Sequence, residues 1–134
     1  MTDKQLCLAA IAATEFSYSP YSGFKVGAAL LCKSGKIFTG CNIENAAFSP
    51  TVCAERTAIF KAISEGERDF VAIAIAGKKS DEIISDCTPC GVCRQVLSEF
   101  CSADMSVLLV KNLDGNFEKH TLSSLLPHSF NLEK

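Results

Sequence analysis

At 134 residues and 14.4 kDa the chain has one domain's length, enough to bury about two-thirds of its unfolded surface. An apolar fraction of 48% with a mean hydropathy of +0.20 is high for so small an interior and favours oligomerisation. Thirteen basic against fifteen acidic residues and a pI near 5.7 argue against the basic face of a nucleic-acid binder, leaving a small, roughly neutral ligand as the expected partner. The opening Met1-Thr2-Asp3-Lys4 does not read as a signal peptide, and no apolar run is long enough to span a bilayer. A soluble, cytoplasmic chain without a membrane partner is expected.

Leu6, Ala9, Ala10, Ala13 and Phe16 form one stripe, predicting a helix from Asp3 to about Ser17 with Thr2 or Asp3 as its cap. Ser17 to Gly23 is loop by its turn residues. Lys25 to Cys32 and Ile37 to about Ile43 are strands joined by the turn Lys33-Ser34-Gly35-Lys36. Thr51 to about Ser64 reads as a helix with Gly66 past its end. Phe70 to Gly77 is a continuous apolar run, as in a strand covered on both faces. Lys78 to Asp86 reads as polar loop. A helix from Gly91 to about Cys101, a strand from Ser106 to Val110, a turn at residues 113–116, a strand at Phe117–His120 and a short helix at Leu122–Leu126 complete the chain. The alternation after the hairpin predicts a single α/β domain over residues 1–134, a three-layer α/β/α sandwich around a mixed five-stranded sheet.

Eight cysteines in a cytosolic chain point to metal or catalysis before disulfides. Cys7, Cys32, Cys41 and Cys101 sit in apolar stretches and read as small buried hydrophobes. Cys53-Ala54-Glu55 and Pro89-Cys90-Gly91-Val92-Cys93 remain, offering three thiols and one carboxylate. Three protein ligands leave a zinc ion with an open position, the arrangement of catalytic sites. Cys53 and Glu55 point to nearly opposite sides of a regular helix, so they converge only if Cys53 reaches over a helix start. Two helix N-termini would then face the metal and favour thiolates. Three thiolates leave a formal surplus of negative charge, which Arg56 first, and Arg94, could offset by hydrogen bonding to sulfur. A lone C-x-x-C is a weak signal. C-x-E followed by P-C-x-x-C is the pattern of zinc deaminases that act on nucleobases. Cys87 leaves two other readings open, an iron–sulfur run or a closed four-thiolate zinc site, but neither gives Glu55 a role. His120 and His128 read as surface or hydrogen-bonded residues rather than ligands.

Ser19-Pro20-Tyr21-Ser22, Val26-Gly27-Ala28-Ala29, Gly40-Cys41-Asn42-Ile43-Glu44-Asn45-Ala46, Cys53-Ala54-Glu55-Arg56 and Pro89-Cys90-Gly91-Val92-Cys93-Arg94-Gln95 together resemble the small homotetrameric cytidine deaminases, nearly end to end. The resemblance implies zinc-dependent hydrolysis of cytidine and 2′-deoxycytidine to the uridines, with release of ammonia, as in pyrimidine salvage. It implies one Zn²⁺ per chain on Cys53, Cys90 and Cys93, with Glu55 shuttling protons between water, ring N3 and the leaving group. It also implies that Asn42 and Glu44 bind the ribose 3′-hydroxyl, that Phe24 lies beside the base, and that Ala54 makes a backbone contact. Phe130 would close over a neighbouring subunit's site, giving a homotetramer with shared active sites. The chain departs from the family at Phe48, often tyrosine, at Lys25, often proline, and at Cys87, expected outside the metal's ligand set. The competing readings are a deaminase of a cytosine-type antibiotic nucleoside such as blasticidin S, which the Asn42/Glu44 pair argues against, and a zinc-stabilised binding module without chemistry.

Overall fold

In a computed structural model describing Met1–Lys134, the first element is helix α1 (Asp3–Ala13). Thr2 caps it in a reciprocal box: Gln5 N–H donates to Thr2 Oγ1 (3.1 Å) and Thr2 N–H to Gln5 Oε1 (2.9 Å). The last predicted turn tightens into a 3₁₀ segment at Thr14–Phe16. The hairpin follows as β1 (Phe24–Cys32) and β2 (Ile37–Cys41), then α2 (Ala54–Ser64), β3 (Phe70–Lys79) and β4 (Glu82–Ile84). The chain ends with α3 (Gly91–Phe100), β5 (Ser106–Val110), β6 (Phe117–Thr121) and the single turn α4 (Leu122–Leu125).

The sheet runs in the order β2-β1-β3-β5-β6, with β3 and β5 parallel and the other neighbours antiparallel. These are the five predicted strands. The sixth, β4, pairs with the far end of β3 and lies within the stretch predicted to be loop. It is three residues long with only Ile83 partly covered, so no alternation of polar and apolar residues announces it.

Strand periodicity divides β3 between two cores. Ala72, Ala74 and Ala76 face α1 with Ala29, Leu108 and Val110, while Ile73 and Ile75 join Ala28, Leu30, Val107 and Leu109 beneath α2 and α3. That is the predicted three-layer sandwich. Two glycines set how closely helices approach the sheet. A Cβ on Gly27 would lie 2.1 Å from the Ala10 carbonyl oxygen of α1. One on Gly40 would lie 2.5 Å from the Ala54 carbonyl oxygen and 2.6 Å from the Ala58 nitrogen of α2. The N-terminus of α2 is therefore seated directly on β2. No helix is long and apolar enough to cross a membrane.

Candidate active site

The predicted start of α2 at Thr51 falls three residues early. Phe48 takes a left-handed conformation (φ 62°), and Val52 and Ile43 then exchange two backbone hydrogen bonds of 3.0 Å. This bridge holds the chain extended until Cys53, which becomes the N-cap (φ −80°, ψ 157°). Cys90 is the N-cap of α3 in the same extended conformation, its sulfur accepting from the Cys93 N–H at 3.4 Å. Two helix mouths thus bring their cysteines together, as the one-residue spacing of Cys53 and Glu55 required.

Cys53 and Cys90 sulfurs lie 3.7 Å apart, Cys90 and Cys93 3.4 Å, and all three within 4.8 Å of one another. Zinc–sulfur bonds of about 2.3 Å in a tetrahedron require sulfurs about 3.8 Å apart. The three-sulfur set fits such an ion. Arg56 donates to the Cys53 sulfur from Nη2 at 3.3 Å, and the neighbouring Cys93 thiol together with this guanidinium pulls the Cys53 thiol down to about 5 against the effect of burial. The nearby Cys53 sulfur, with burial, correspondingly raises Cys93. Arg56 therefore stands where the sequence placed it. Arg94 does not: its Nε donates to the Pro89 carbonyl (2.7 Å) and its Nη1 to the Leu125 carbonyl (2.6 Å). The expected bond from Arg94 to a thiolate is corrected to a clamp between the loop preceding α3 and the end of α4, because these two carbonyls fix where its guanidinium lies.

Glu55, the second residue of α2, is only 3% exposed, and its Oε1 has no hydrogen-bond partner. Burial, reinforced by the charge on Cys53 and opposed by its backbone N–H, pushes the carboxyl up to about 7. A buried carboxylate oxygen without a partner is costly unless something else completes its bonding.

A cavity of about 200 Å³ opens beside this group. It is lined by Cys53, Ala54, Glu55 and Cys90 from the two helix starts, together with Phe24, Val26, Asn42, Glu44, Thr51, Val52, Cys87 and Thr88. Asn42 is largely committed to bracing those walls: Oδ1 accepts from the Val26 N–H (2.8 Å) and from Ser17 Oγ, while Nδ2 donates to the Phe24 carbonyl (2.8 Å). One amide hydrogen remains. Glu44 Oε1 accepts from the N–H groups of Tyr21 (2.9 Å) and Ser22 (3.1 Å), and Oε2 from the Ser22 hydroxyl, which hold this carboxyl below its ordinary range. Ser17, Ser22, Val26, Thr51 and Thr88 had no assigned role in the sequence reading. The partnership of a loop serine with a strand-end asparagine or glutamate more than twenty positions away leaves no local pattern.

Cys87 lies outside the three-sulfur group yet lines the cavity; burial first, then the charges of Glu55 and Cys53, push its thiol up to about 12. Phe130 is 66% exposed, away from this chain's own cavity, with its carbonyl accepting from Gln95 Nε2 at 3.5 Å. Phe48, 75% exposed, lines with Tyr21 and Asn45 an outer hollow of about 250 Å³ that shares Glu44 and Thr51 with the inner cavity. His120 pairs with Glu118 (2.6 Å), a hydrogen-bonded surface position as expected.

Residues 1–109 match the protein family described as "Cytidine and deoxycytidylate deaminase zinc-binding region". The chain is 51% identical over 132 residues to a cytidine deaminase of Halalkalibacterium halodurans, covering 98% of this chain and 96% of that one. A crystal structure of cytidine deaminase from Burkholderia pseudomallei superposes with a TM-score of 0.86 at 45% identity, covering 97% of this chain and all of the other. A more distant relative, a blasticidin-S deaminase of Bacillus cereus, is 39% identical over 106 residues, or 76% of this chain and 74% of that one.

Proposed function

The chain belongs to the cytidine and deoxycytidylate deaminase family, and from that membership we propose that it hydrolyses cytidine and 2′-deoxycytidine to uridine and 2′-deoxyuridine, releasing ammonia. The observation that carries this reading is Glu55: a buried carboxyl with a free oxygen, beside three converging sulfurs, in the lining of a cavity. Cys53, Cys90 and Cys93 would hold one zinc ion per chain, which supplies the acidity that makes water a nucleophile near neutral pH. Glu55 takes a proton from the attacking water at its unpartnered Oε1 and passes it to ring N3 as oxygen adds to C4. It then takes the remaining proton from the new hydroxyl on C4 and passes it to the amino group, which leaves as ammonia while the C4 carbonyl forms, so the same carboxyl serves as base and acid. A carboxyl raised towards 7 is suited to both tasks near neutral pH.

The walls do the binding. Phe24 lies along the base, the Ala54 backbone meets its edge, and the spare Asn42 amide hydrogen and Glu44 carboxylate take the ribose 3′-hydroxyl. Arg56 offsets surplus charge on the thiolates. Arg56→Ala, with its zinc content verified, is expected to shift the acid limb of the pH–rate profile to higher pH. Removing a positive charge raises the pKa of whatever must lose a proton for attack. An unmoved profile would remove this role from Arg56.

Phe130, exposed and away from its own chain's cavity, supports a homotetramer whose copies complete one another's sites, and the apolar composition agrees. The protein is read as cytoplasmic, without nucleic-acid or membrane partners. The outer hollow beyond Glu44 favours one second reading, a cytosine nucleoside bearing a bulkier sugar substituent such as blasticidin S. Zinc analysis and loss of cytidine absorbance in one preparation test the proposal, with a nucleoside panel to rank substrates. Zinc-loaded protein that leaves every free pyrimidine nucleoside untouched would refute it.

A further inference from the structure

The cavity wall contains a thiol to which the reaction itself gives no task. Cys87 lines the cavity beside Phe24, Ala54 and Glu55. A Cβ built on Gly77, in β3, would stand 2.7 Å from both Cβ and Sγ of Cys87 and 2.8 Å from Cζ of Phe24. The thiol and the tip of the Phe24 ring therefore rest side by side on bare strand backbone, in the space any other residue at position 77 would need. Close-packed walls absorb added or removed volume poorly. The size of side chain 87 thus decides both where the Phe24 ring lies and how much room remains next to it.

The orientation of a substrate follows from the function proposed above, on which this inference rests. The amino-bearing C4 faces the sulfur cluster, N3 faces Glu55, the sugar end faces Asn42 and Glu44, and Phe24 lies along the ring. The edge left over is C5–C6, and C5 is its end beside the reacting carbon. Cys87 lines the cavity three residues before Cys90 of the sulfur cluster and stands against the tip of the Phe24 ring, so with N3 given to Glu55 and the sugar end to Asn42 and Glu44 it falls to that remaining edge. We propose that Cys87, seated on Gly77 against Phe24, sets the clearance at the C5 edge of the pyrimidine and so discriminates among 5-substituted cytosine nucleosides. It is a positioning residue: no proton or bond of the reaction passes through it.

The test compares wild type, Cys87→Ala, Cys87→Ser and Cys87→Val, each with its zinc content measured, by kcat and KM for cytidine and 5-methylcytidine. One methyl group in an apolar pocket is worth roughly 10- to 200-fold in kcat/KM. Cys87→Ala is expected to raise the ratio of 5-methylcytidine to cytidine kcat/KM by about tenfold. Cys87→Val is expected to lower it, and the near-isosteric Cys87→Ser to keep the wild-type ratio. Should Cys87→Ala fail to fold, Cys87→Val reads the same ratio with opposite sign. A ratio unmoved in the folded variants, with wild type active on cytidine, overturns this role while leaving the deaminase reading standing. A zinc-loaded wild type inactive on both nucleosides overturns the deaminase reading itself, and this role with it.

Discussion

Glu55→Gln is expected to retain zinc and to lose at least about 100-fold in turnover of cytidine, the usual contribution of a general acid–base group. Glutamine keeps the shape of the side chain, and Glu55 contributes none of the three sulfurs. What it cannot do is accept a proton at the position of Oε1, which has no partner in the folded chain. Activity surviving within about tenfold would remove Glu55 from the proton path. The same variant has a second signature that does not depend on turnover. The folded carboxyl sits near 7 against an ordinary 4.5, so the protein gives up stability as pH rises through that interval. The loss is absent below the ordinary carboxyl range and complete above about 7, amounting to at most about 3 kcal/mol. Glutamine does not titrate. After chelation, the melting temperature of Glu55→Gln should therefore exceed that of wild type at pH 8, with a smaller gap at pH 5. A gap independent of pH would mean that burial does not raise this carboxyl.

The sulfur cluster was legible because its logic is local. Cys90 and Cys93 are three apart at a helix start, and Cys53 and Glu55 can converge only at another, so the spacing alone demanded two helix mouths. The strands were legible for a similar reason, since β3 is an unbroken apolar run whose alternate residues serve two cores. Features that depend on partners distant in sequence were not. Arg94 adjoins Cys93 in the chain, but its Nε and Nη1 donate to the carbonyls of Pro89 and Leu125, the second of them 31 positions away. Asn42 reads as a ligand contact at a strand end, yet most of its amide holds the backbone of Phe24 and Val26 in place. Cys87 reads as an unusual extra thiol, and only its seat on Gly77 shows why its size should matter. The start of α2 at Ala54 is not legible in the sequence because the Val52–Ile43 bridge that delays it is a tertiary contact.

Gly40→Ala is the substitution expected to disturb this site most from outside it. The new methyl would stand 2.5 Å from the Ala54 carbonyl oxygen, 2.6 Å from the Ala58 nitrogen and 2.9 Å from the Thr57 Cβ. Two of these are helix backbone, so no side-chain rotation relieves the contact, and α2 must lift from β2. Overpacking of this kind costs about 1–3 kcal/mol and sometimes more, which for a domain of this length lowers the melting temperature by roughly 5–15 °C. The helix that moves carries Cys53 as its cap and Glu55 in its first turn, whereas Cys90 and Cys93 belong to α3. A displacement of α2 therefore pulls one sulfur away from the other two. Since a metal site tolerates only about 0.5 Å of error, zinc affinity should fall with stability, and turnover below the melting point should drop by about 100-fold. Gly27→Ala provides the contrast. Its methyl would meet the Ala10 carbonyl oxygen at 2.1 Å, so it lifts α1 on the opposite face, away from all three cysteines. Folded Gly27→Ala should melt earlier yet hold zinc as tightly as wild type, a separation that calorimetry and metal titration of the two variants would measure. Equal loss of zinc in both would mean that the sheet passes strain from one face to the other, and that the seat of α2 on Gly40 has no special hold over the metal.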